Sequence, residues 1–303
     1  MTAEATVGGK DWSRMIAGIC AVLREGKLRI VGADVLIGGD LPMGAGLASS
    51  AALHVGLADM FLAVARVDWT KLKIAKLCQD AERRSSGVPC GLMDQLACLY
   101  GERGRALFID CRDLAVTPVP WPGSDYAVVI VDSRSPHRLS QSQYGRRVEE
   151  SAAAIRSLSR EYRDISMGEL AVLQKNCDPL LFRRARHVVS EIARTEQAAN
   201  AVRGGDIQSL GRLINESHRS LAEDYEVSSP RMDDLAGIVR SVPGCYGARI
   251  TGAGFGGCVV AVAEARATAA IEAAVRARYD PKYGVVAPVW AAQPAAGAEV
   301  QIL

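Results

Sequence analysis

The chain has 303 residues, of which 49% are hydrophobic and 23% are charged. These fractions are typical of folded globular proteins and exclude disordered, collagen-like and disulfide-scaffold classes, and the length suits one large or two ordinary domains. The 36 lysines and arginines nearly balance the 34 acidic residues, so overall charge indicates neither a nucleic-acid nor a membrane partner. Because we find neither an apolar run of roughly 18 residues nor a signal-peptide core, we expect a cytoplasmic protein. The eight cysteines are scattered singly and are predicted to be buried free thiols.

The first third of the chain alternates predicted helices with loops. Apolar residues at helical spacing predict a helix over 12–23, which ends before Gly26. A β-branched stretch around Val35 predicts a strand over 31–37. A glycine-rich loop and a long apolar helix come next, followed by an amphipathic helix over 70–84 and a short helix near Cys90.

The remainder of the chain predicts a second group of elements. A strand in RALFIDC precedes the proline-rich run VTPVPWPGSD, where we place a domain boundary. A strand in YAVVIVDS comes next, then three or four helices over about 140–242. Two further strands, YGARI and CVVAVA, enclose the glycine-rich TGAGFGG. A last helix over about 265–278 precedes a short extended tail.

The first motif with chemical meaning is a phosphate-type loop in LPMGAGLASS. Its glycines permit close backbone approach, and Ser49 and Ser50 lie at the predicted start of a helix, whose free N–H groups and dipole attract an anion. It differs from a Walker A loop because no Lys-Ser or Lys-Thr follows the glycines. The alternative is a glycine turn capped by a serine.

Two acidic residues lie near the second motif, GVPCGLMDQ. Asp94 lies just inside a short helix, where a carboxylate can accept the proton of an attacking hydroxyl; alternatively it only stabilises the helix N-terminus. Glu82 and the hydroxyl of Ser50 are our candidate magnesium ligands, since Mg²⁺ takes hard oxygen ligands and keeps waters and substrate phosphates. The alternative for Glu82 is an ordinary surface charge.

The third motif is TGAGFGGC, over residues 251–258. So many glycines indicate that the backbone closely approaches a ligand or another domain; a simple glycine-rich hairpin is the alternative.

The three glycine-rich segments, in this order, resemble those of the GHMP small-molecule kinases, and within that family those of the galactokinases. The similarity also includes SPHRLSQSQYGRR, RRARHVVSE and ESHRSLAEDYEVSSP, and it extends over nearly all of residues 12–300. The resemblance implies an α+β fold of two domains, an S5 domain 2-like N-terminal domain whose first strands are missing and a ferredoxin-like C-terminal domain. We expect these over 1–122 and 123–282, with a tail over 283–303 that returns to the first domain.

The resemblance also implies the site residues and ligands. Asp94 corresponds to the catalytic base, which also contacts the substrate, and Ser50 and Glu82 to the magnesium ligands. Tyr144 corresponds to a tyrosine that contacts the sugar; otherwise it is a half-buried helix residue. The ATP-binding loop comprises Gly44, Ala45, Gly46, Leu47, Ala48, Ser49 and Ser50. Three mild departures remove none of these chemical groups: Ala48 where serine is usual, Pro136 where valine is, and Arg231 where an acid is.

The implied reaction is transfer of the γ-phosphoryl group of MgATP to the anomeric hydroxyl of galactose. Galactokinases also share an upstream Gly-Arg-x-Asn-x-x-Gly-Glu-His-x-Asp segment that contributes to the sugar site, and no such run occurs in this sequence. We therefore expect an incomplete sugar site, and MgATP binding with little or no galactose phosphorylation by residues 1–303 alone. A kinase of a related sugar (arabinose, N-acetylgalactosamine or a heptose) and a catalytically silent nucleotide-binding sensor are the alternatives.

Overall fold

The structure is a computed structural model that describes residues 11–30, 32–87, 90–135, 140–174 and 177–301. Its contacts divide the chain into two compact units. The first comprises residues 1–43, 47–119 and 294–303, and the second comprises residues 44–46 and 120–293. No helix among the described residues is long and apolar enough to cross a membrane.

The first unit is built on four helices around one apolar core. They are α1 (Asp11–Glu25), α2 (Ser49–Ala65), α3 (Lys71–Ser86) and α4 (Met93–Tyr100). The helices begin and end where local chemistry predicts: Thr70 caps α3 by accepting a hydrogen bond from the Lys73 amide, and Gly87 ends it with a φ of 70°. Their shared core includes Leu23, Val55, Ala58, Leu62, Ala75, Cys78, Leu96 and Leu99.

A two-stranded sheet and a returning segment complete the first unit. The strands are β1 (Arg105–Ile109) and β2 (Val116–Pro120), so the start of the proline-rich run is a strand. Pro118 is tolerated there because a strand in a two-stranded sheet has an unpaired edge. The final segment of the chain belongs to this unit from Pro294 onwards, where the Gly297 amide donates to the Gly101 carbonyl at 2.8 Å.

The prediction of a strand over 31–37 is wrong for residues 32–37, which are the part of this stretch that the structure describes. Residues 32–40 have no regular secondary structure. Val35 and Ile37 are 42% and 45% exposed, and Leu36 is 99% exposed. A β-branched stretch becomes a strand only when a neighbouring strand supplies ladder hydrogen bonds, and none of the described strands lies beside it.

The second unit contains a four-stranded antiparallel sheet in the order β4-β5-β3-β6. The strands are β3 (Tyr126–Asp132), β4 (Cys245–Ile250), β5 (Cys258–Glu264) and β6 (Val289–Ala292). The sheet shares a core with two helices, and the core includes Val129, Val131, Met232, Leu235, Val239, Ile250, Val259, Ala261, Ile271 and Val275. The β6 strand lies in the predicted extended tail and was not expected, because its pairing with β3 is set by tertiary contacts.

Helices of the second unit are more numerous than expected between residues 140 and 242. The described α-helices there are α5 (Ser140–Leu158), α6 (Met167–Leu173), α7 (Pro179–Arg203), α8 (Ile207–Glu223) and α9 (Pro230–Arg240). Short α6 was missed, although the reciprocal capping bonds of Ser166 and Glu169 are a recognisable start signal. After β5 come α10 (Thr268–Arg278) and α11 (Asp280–Tyr283).

Helix α8 packs directly on the outer edge of β4. A Cβ added to Gly211 would lie 2.4 Å from the Tyr246 carbonyl oxygen, so only glycine permits this approach. The Asn215 side chain then replaces a neighbouring strand: its Oδ1 accepts from the Ala248 amide at 3.0 Å and its Nδ2 donates to the Tyr246 carbonyl. The edge is thereby satisfied and covered.

All eight cysteines are free thiols, as expected, but they are not all buried. Cys78 and Cys258 are buried, whereas Cys111 is exposed and the others are intermediate.

Candidate active site

The phosphate-type loop leads into a helix whose first turn has no side-chain cap. Gly44 and Gly46 have φ angles of 72° and 75°, which favour glycine. The N-cap residue of α2 is Ala48, itself left-handed at φ 56°, and it offers no capping oxygen. The interpretation in which a serine caps the helix is therefore wrong. The first-turn N–H groups of α2 remain suited to an external anion.

A buried histidine lies one turn after Ser50 on α2. The His54 ring is 0% exposed, and its Nδ1 lies 2.9 Å from the Ser50 carbonyl oxygen. Burial lowers the pKa of His54, while the negative charge of Glu82 opposes that shift. The ring is therefore neutral at pH 7, and it lies within the electrostatic reach of Glu82 on α3.

Glu82 and Asp94 lie on the neighbouring helices α3 and α4, and the charge of Glu82 acts on Asp94. Burial raises the pKa of Asp94, and the charge of Glu82 raises it further. A carboxylate held mainly by the helix N-terminus would have a lowered pKa, so this direction favours a base over a simple helix stabiliser. Glu82 accepts a hydrogen bond from Nε2 of Gln95 at 2.5 Å, which holds the two helices together at this point.

The turn before Asp94 is anchored to α3. The Cys90 carbonyl oxygen accepts from Gln79 Nε2 at 2.9 Å and from two nitrogens of Arg83, at 3.1 and 2.7 Å. Burial raises the pKa of the Cys90 thiol, which agrees with a packing role. Val88 and Pro89 of this motif lie outside the described residues.

Sequence reasoning did not single out His54, Gln79, Arg83 or Gln95. The only available signal was the four-residue spacing of Gln79 and Arg83, which places both on one face of α3. The partner of Gln79 and Arg83 lies in the turn before α4, and the partner of Gln95 lies on α3, so these roles depend on packing.

The third glycine motif forms a tightly packed loop of the second unit. A Cβ on Gly252 would lie 3.3 Å from the carbonyl oxygen of Gly46, which belongs to the same unit. A Cβ on Gly254 would lie 2.5 Å from the Val227 carbonyl oxygen, and the Phe255 amide donates to that oxygen at 2.7 Å. The glycines therefore serve close backbone approach, including approach to the phosphate-type loop.

Tyr144 belongs to the second unit, whereas Ser50, Glu82 and Asp94 belong to the first. It is half-buried on α5; burial raises the pKa of nearby Tyr225, and Tyr144 raises it further. The Tyr225 ring stacks on His187 with centroids 4.4 Å apart, and its carbonyl accepts from Arg147 Nε at 2.7 Å. Pro136, in the same segment as Tyr144, lies outside the described residues.

A buried arginine explains why two of the similar segments occur together. Arg184 is 1% exposed and pairs with Glu150 and Glu226 at 2.7 and 2.6 Å. Its third bond is to the Asp224 carbonyl at 2.6 Å. RRARHVVSE and ESHRSLAEDYEVSSP are thus joined by one guanidinium group, which has fixed planar donors.

Arg231, the departure toward a basic residue, has a structural role. Its guanidinium donates to the Ser133 carbonyl at 2.7 Å and to the Tyr279 hydroxyl at 2.8 Å. It therefore fixes the segment after β3.

Comparison with known proteins agrees with this arrangement. Residues 14–102 match the model of the GHMP kinases N terminal domain, and residues 197–281 match the model of the GHMP kinases C terminal. Galactokinase of Roseiflexus sp. (strain RS-1) is 46% identical over 84% of this chain, and galactokinase of Homo sapiens is 40% identical over 98%. The chain spans 66% and 74% of the length of these two curated relatives.

Solved structures extend the similarity to the fold. A crystal structure of Lactococcus lactis galactokinase complexed with galactose matches 98% of this chain with a TM-score of 0.89 and 31% identity, and the match covers 78% of that protein. Mevalonate kinase of L. major shares only the fold, with a TM-score of 0.63 at 19% identity. The α+β fold that the sequence motifs implied is confirmed, and the chain belongs to the GHMP kinase family and, within it, to the galactokinases.

Proposed function

We propose that this chain transfers the γ-phosphoryl group of ATP to the anomeric hydroxyl of galactose. The observation that best supports this function is the pair of acidic residues on neighbouring helices: the charge of Glu82 raises the pKa of Asp94 and also acts on His54 of α2. The galactokinases to which the chain is similar support galactose as the sugar.

The proposed nucleotide site is the loop from Gly44 to Ser50. Its left-handed glycines permit close backbone approach, and the uncapped first turn of α2 offers N–H donors and the positive end of a helix dipole to the phosphates. Such donors act by positioning and by charge stabilisation, which dominate phosphoryl transfer.

The proposed magnesium ligands are the Glu82 carboxylate and the Ser50 hydroxyl. Both are hard oxygen donors, and no group of three or more His, Cys, Asp or Glu residues in the described part of the chain could hold an ion by itself. Two protein ligands suit Mg²⁺, which keeps waters and takes substrate phosphate oxygens for the remainder. When bound, the ion supplies positive charge beside the transferring phosphoryl group.

Asp94 is the proposed general base. Its carboxylate accepts the proton of the sugar hydroxyl while that oxygen forms a bond to the γ-phosphorus, and the bond from phosphorus to the ADP oxygen breaks. The raised pKa of Asp94 makes it a stronger proton acceptor than an exposed aspartate.

The remaining assignments complete the proposal. By the resemblance we assign the sugar contact to Tyr144, and the two domains to residues 1–122 and 123–282. We assign the segment 283–303 to a return to the first domain: the grouping of residues 294–303 with the first unit supports this, whereas residues 283–293 group with the second unit.

The test is galactose-dependent release of ADP, measured with a coupled assay and accompanied by calorimetry with MgATP. We expect saturable nucleotide binding and ADP release, even if slow, that requires galactose and is lost in Asp94→Asn. Glucose and arabinose serve as comparison sugars. Faster ADP release with another sugar than with galactose, or release that needs no sugar, contradicts the proposed substrate.

A further inference from the structure

Gln95 follows the proposed base directly, and neither of its side-chain polar atoms reaches solvent. The residue is 1% exposed. Its Nε2 donates to Glu82 Oε2 at 2.5 Å, and this orientation of the amide is the only stable one, because an amide oxygen facing a carboxylate would be repelled. The bond fixes the direction of the Glu82 carboxylate.

The other half of the same amide has no partner. Oε1 of Gln95 is buried and accepts no hydrogen bond from any residue that the structure describes. A buried acceptor left unpaired costs about 1–3 kcal/mol, so native proteins normally satisfy it with protein groups, water or ligand. Because Oε1 and Nε2 are bonded to the same carbon, the unpaired oxygen lies close to the carboxylate of Glu82.

A hydrated cation held by Glu82 would provide the missing donor. Mg²⁺ keeps several of its waters when a protein binds it through one or two carboxylates, and those waters donate hydrogen bonds to nearby acceptors. An amide that donates to the ligand and accepts from a metal-bound water satisfies both of its ends.

We propose that Gln95 is a positioning residue for the metal site: its N–H group orients Glu82, and its oxygen accepts a hydrogen bond from a water on the ion. This inference rests on the proposed function, since it takes Glu82 as a magnesium ligand. It also links the metal site to the base, because Gln95 and Asp94 are consecutive on the first turn of α4.

The test compares Gln95→Leu with Gln79→Leu, which makes the same change in another glutamine of this region. Leucine has nearly the volume of glutamine but no hydrogen-bonding group. Gln79 donates to the Cys90 carbonyl, and that oxygen keeps two bonds from Arg83 when Gln79 is replaced. Gln95→Met is the second variant if the leucine variant fails to fold, and the unfolding temperature without ligand checks each protein.

The primary readout is Mn²⁺ binding, followed by electron paramagnetic resonance in the presence of a non-hydrolysable ATP analogue and without sugar. We expect Gln95→Leu to weaken Mn²⁺ binding by about 10- to 100-fold, the usual effect of losing such a supporting residue, and Gln79→Leu to leave it unchanged. The magnesium concentration for half-maximal ADP release should rise in the same proportion.

A second measurement separates positioning from general loss of structure. In a Glu82→Gln background the further change Gln95→Leu should weaken Mn²⁺ binding by less than it does in the wild type, because both residues act on one ion. Equal Mn²⁺ affinity of the Gln95 and Gln79 variants would overturn the inference and leave the proposed function standing. Failure of the wild-type chain to bind Mn²⁺ with the nucleotide analogue would overturn both.

Discussion

Asp94→Asn separates the proposed catalytic role of Asp94 from the role of a helix stabiliser. Asparagine has the shape of aspartate and cannot accept the proton of the sugar hydroxyl. A positioned general base contributes about 100- to 10,000-fold to rate, which corresponds to about 3–5 kcal/mol of activation free energy. We expect single-turnover phosphorylation to fall by that factor, with MgATP affinity unchanged because the base acts on the sugar.

The same substitution, which lowers the rate of phosphorylation, is expected to maintain or raise the stability of the fold. The pKa of Asp94 is raised in the folded protein by burial and by Glu82, so the ionised carboxylate is less favourable in the fold than in the unfolded chain. Removing the charge relieves this cost at neutral pH. Loss of the favourable interaction with the helix N-terminus, about 0.3–1 kcal/mol, opposes this gain. We therefore expect an equal or higher free energy of unfolding at pH 7, and no gain at a pH low enough to protonate Asp94.

The matched control is Asp59→Asn. Asp59 lies on α2, and burial also raises the pKa of its carboxyl group. This variant should gain stability in the same way and keep its turnover. Rapid-quench phosphorylation and urea unfolding at pH 7 measure the two quantities. An Asp94→Asn protein that keeps most of its turnover and loses stability would refute the assignment and leave Asp94 as a helix stabiliser.

Three further predictions concern stability and are measured by urea unfolding. Arg184→Met removes a guanidinium group that is 1% exposed and should lower the free energy of unfolding by about 3–5 kcal/mol. Arg183→Met removes one that is 40% exposed and should lower the free energy of unfolding by at most about 1 kcal/mol. Equal losses in the two variants would contradict this account. Burial lowers the pKa of His187 to about 4. As the pH falls, this side chain is therefore protonated in the unfolded chain before it is protonated in the folded protein. It should lower the free energy of unfolding by about 2 kcal/mol between pH 7 and pH 4.5. His187→Phe should abolish that part of the pH dependence, and an unchanged pH profile would show that other groups cause it. Gly254→Ala places a Cβ 2.5 Å from a backbone oxygen at a φ of 82°, whereas Gly284→Ala, at a φ of 63°, meets no atom within 4 Å. Both variants should lose roughly 1–2 kcal/mol of unfolding free energy through left-handed backbone strain, and Gly254→Ala should lose more because of the clash. Equal losses in the two variants would exclude the clash.

The sequence was sufficient for features whose causes are local. Apolar spacing and Gly26 predict α1, the Thr70 cap and Gly87 bound α3, and the β-branched run YAVVIVD predicts β3. The order of the glycine-rich motifs was likewise enough to recognise the family. Each of these signals resides in neighbouring residues, so no knowledge of the tertiary structure is needed to interpret them.

Pairing between distant segments could not be inferred in this way. Residues 32–40 have strand-like composition but no described neighbouring strand, whereas β6 is short and becomes a strand by pairing with β3. Strand formation depends on a partner that supplies hydrogen bonds, and the identity of that partner is a property of the whole fold.

The chemistry of the candidate site depends on the tertiary structure to a still greater degree. Glu82 and Asp94 were recognisable by resemblance. The effect of Glu82 on the pKa of Asp94, the buried amide of Gln95 and the neutral ring of His54 arise only when α2, α3 and α4 pack together. A pKa is determined by desolvation and by nearby charges, and the hydrogen bonds of a buried amide are determined by the atoms that surround it. The sequence alone determined which groups are available for phosphoryl transfer; packing decided how they are oriented and charged, because those properties depend on distances between helices.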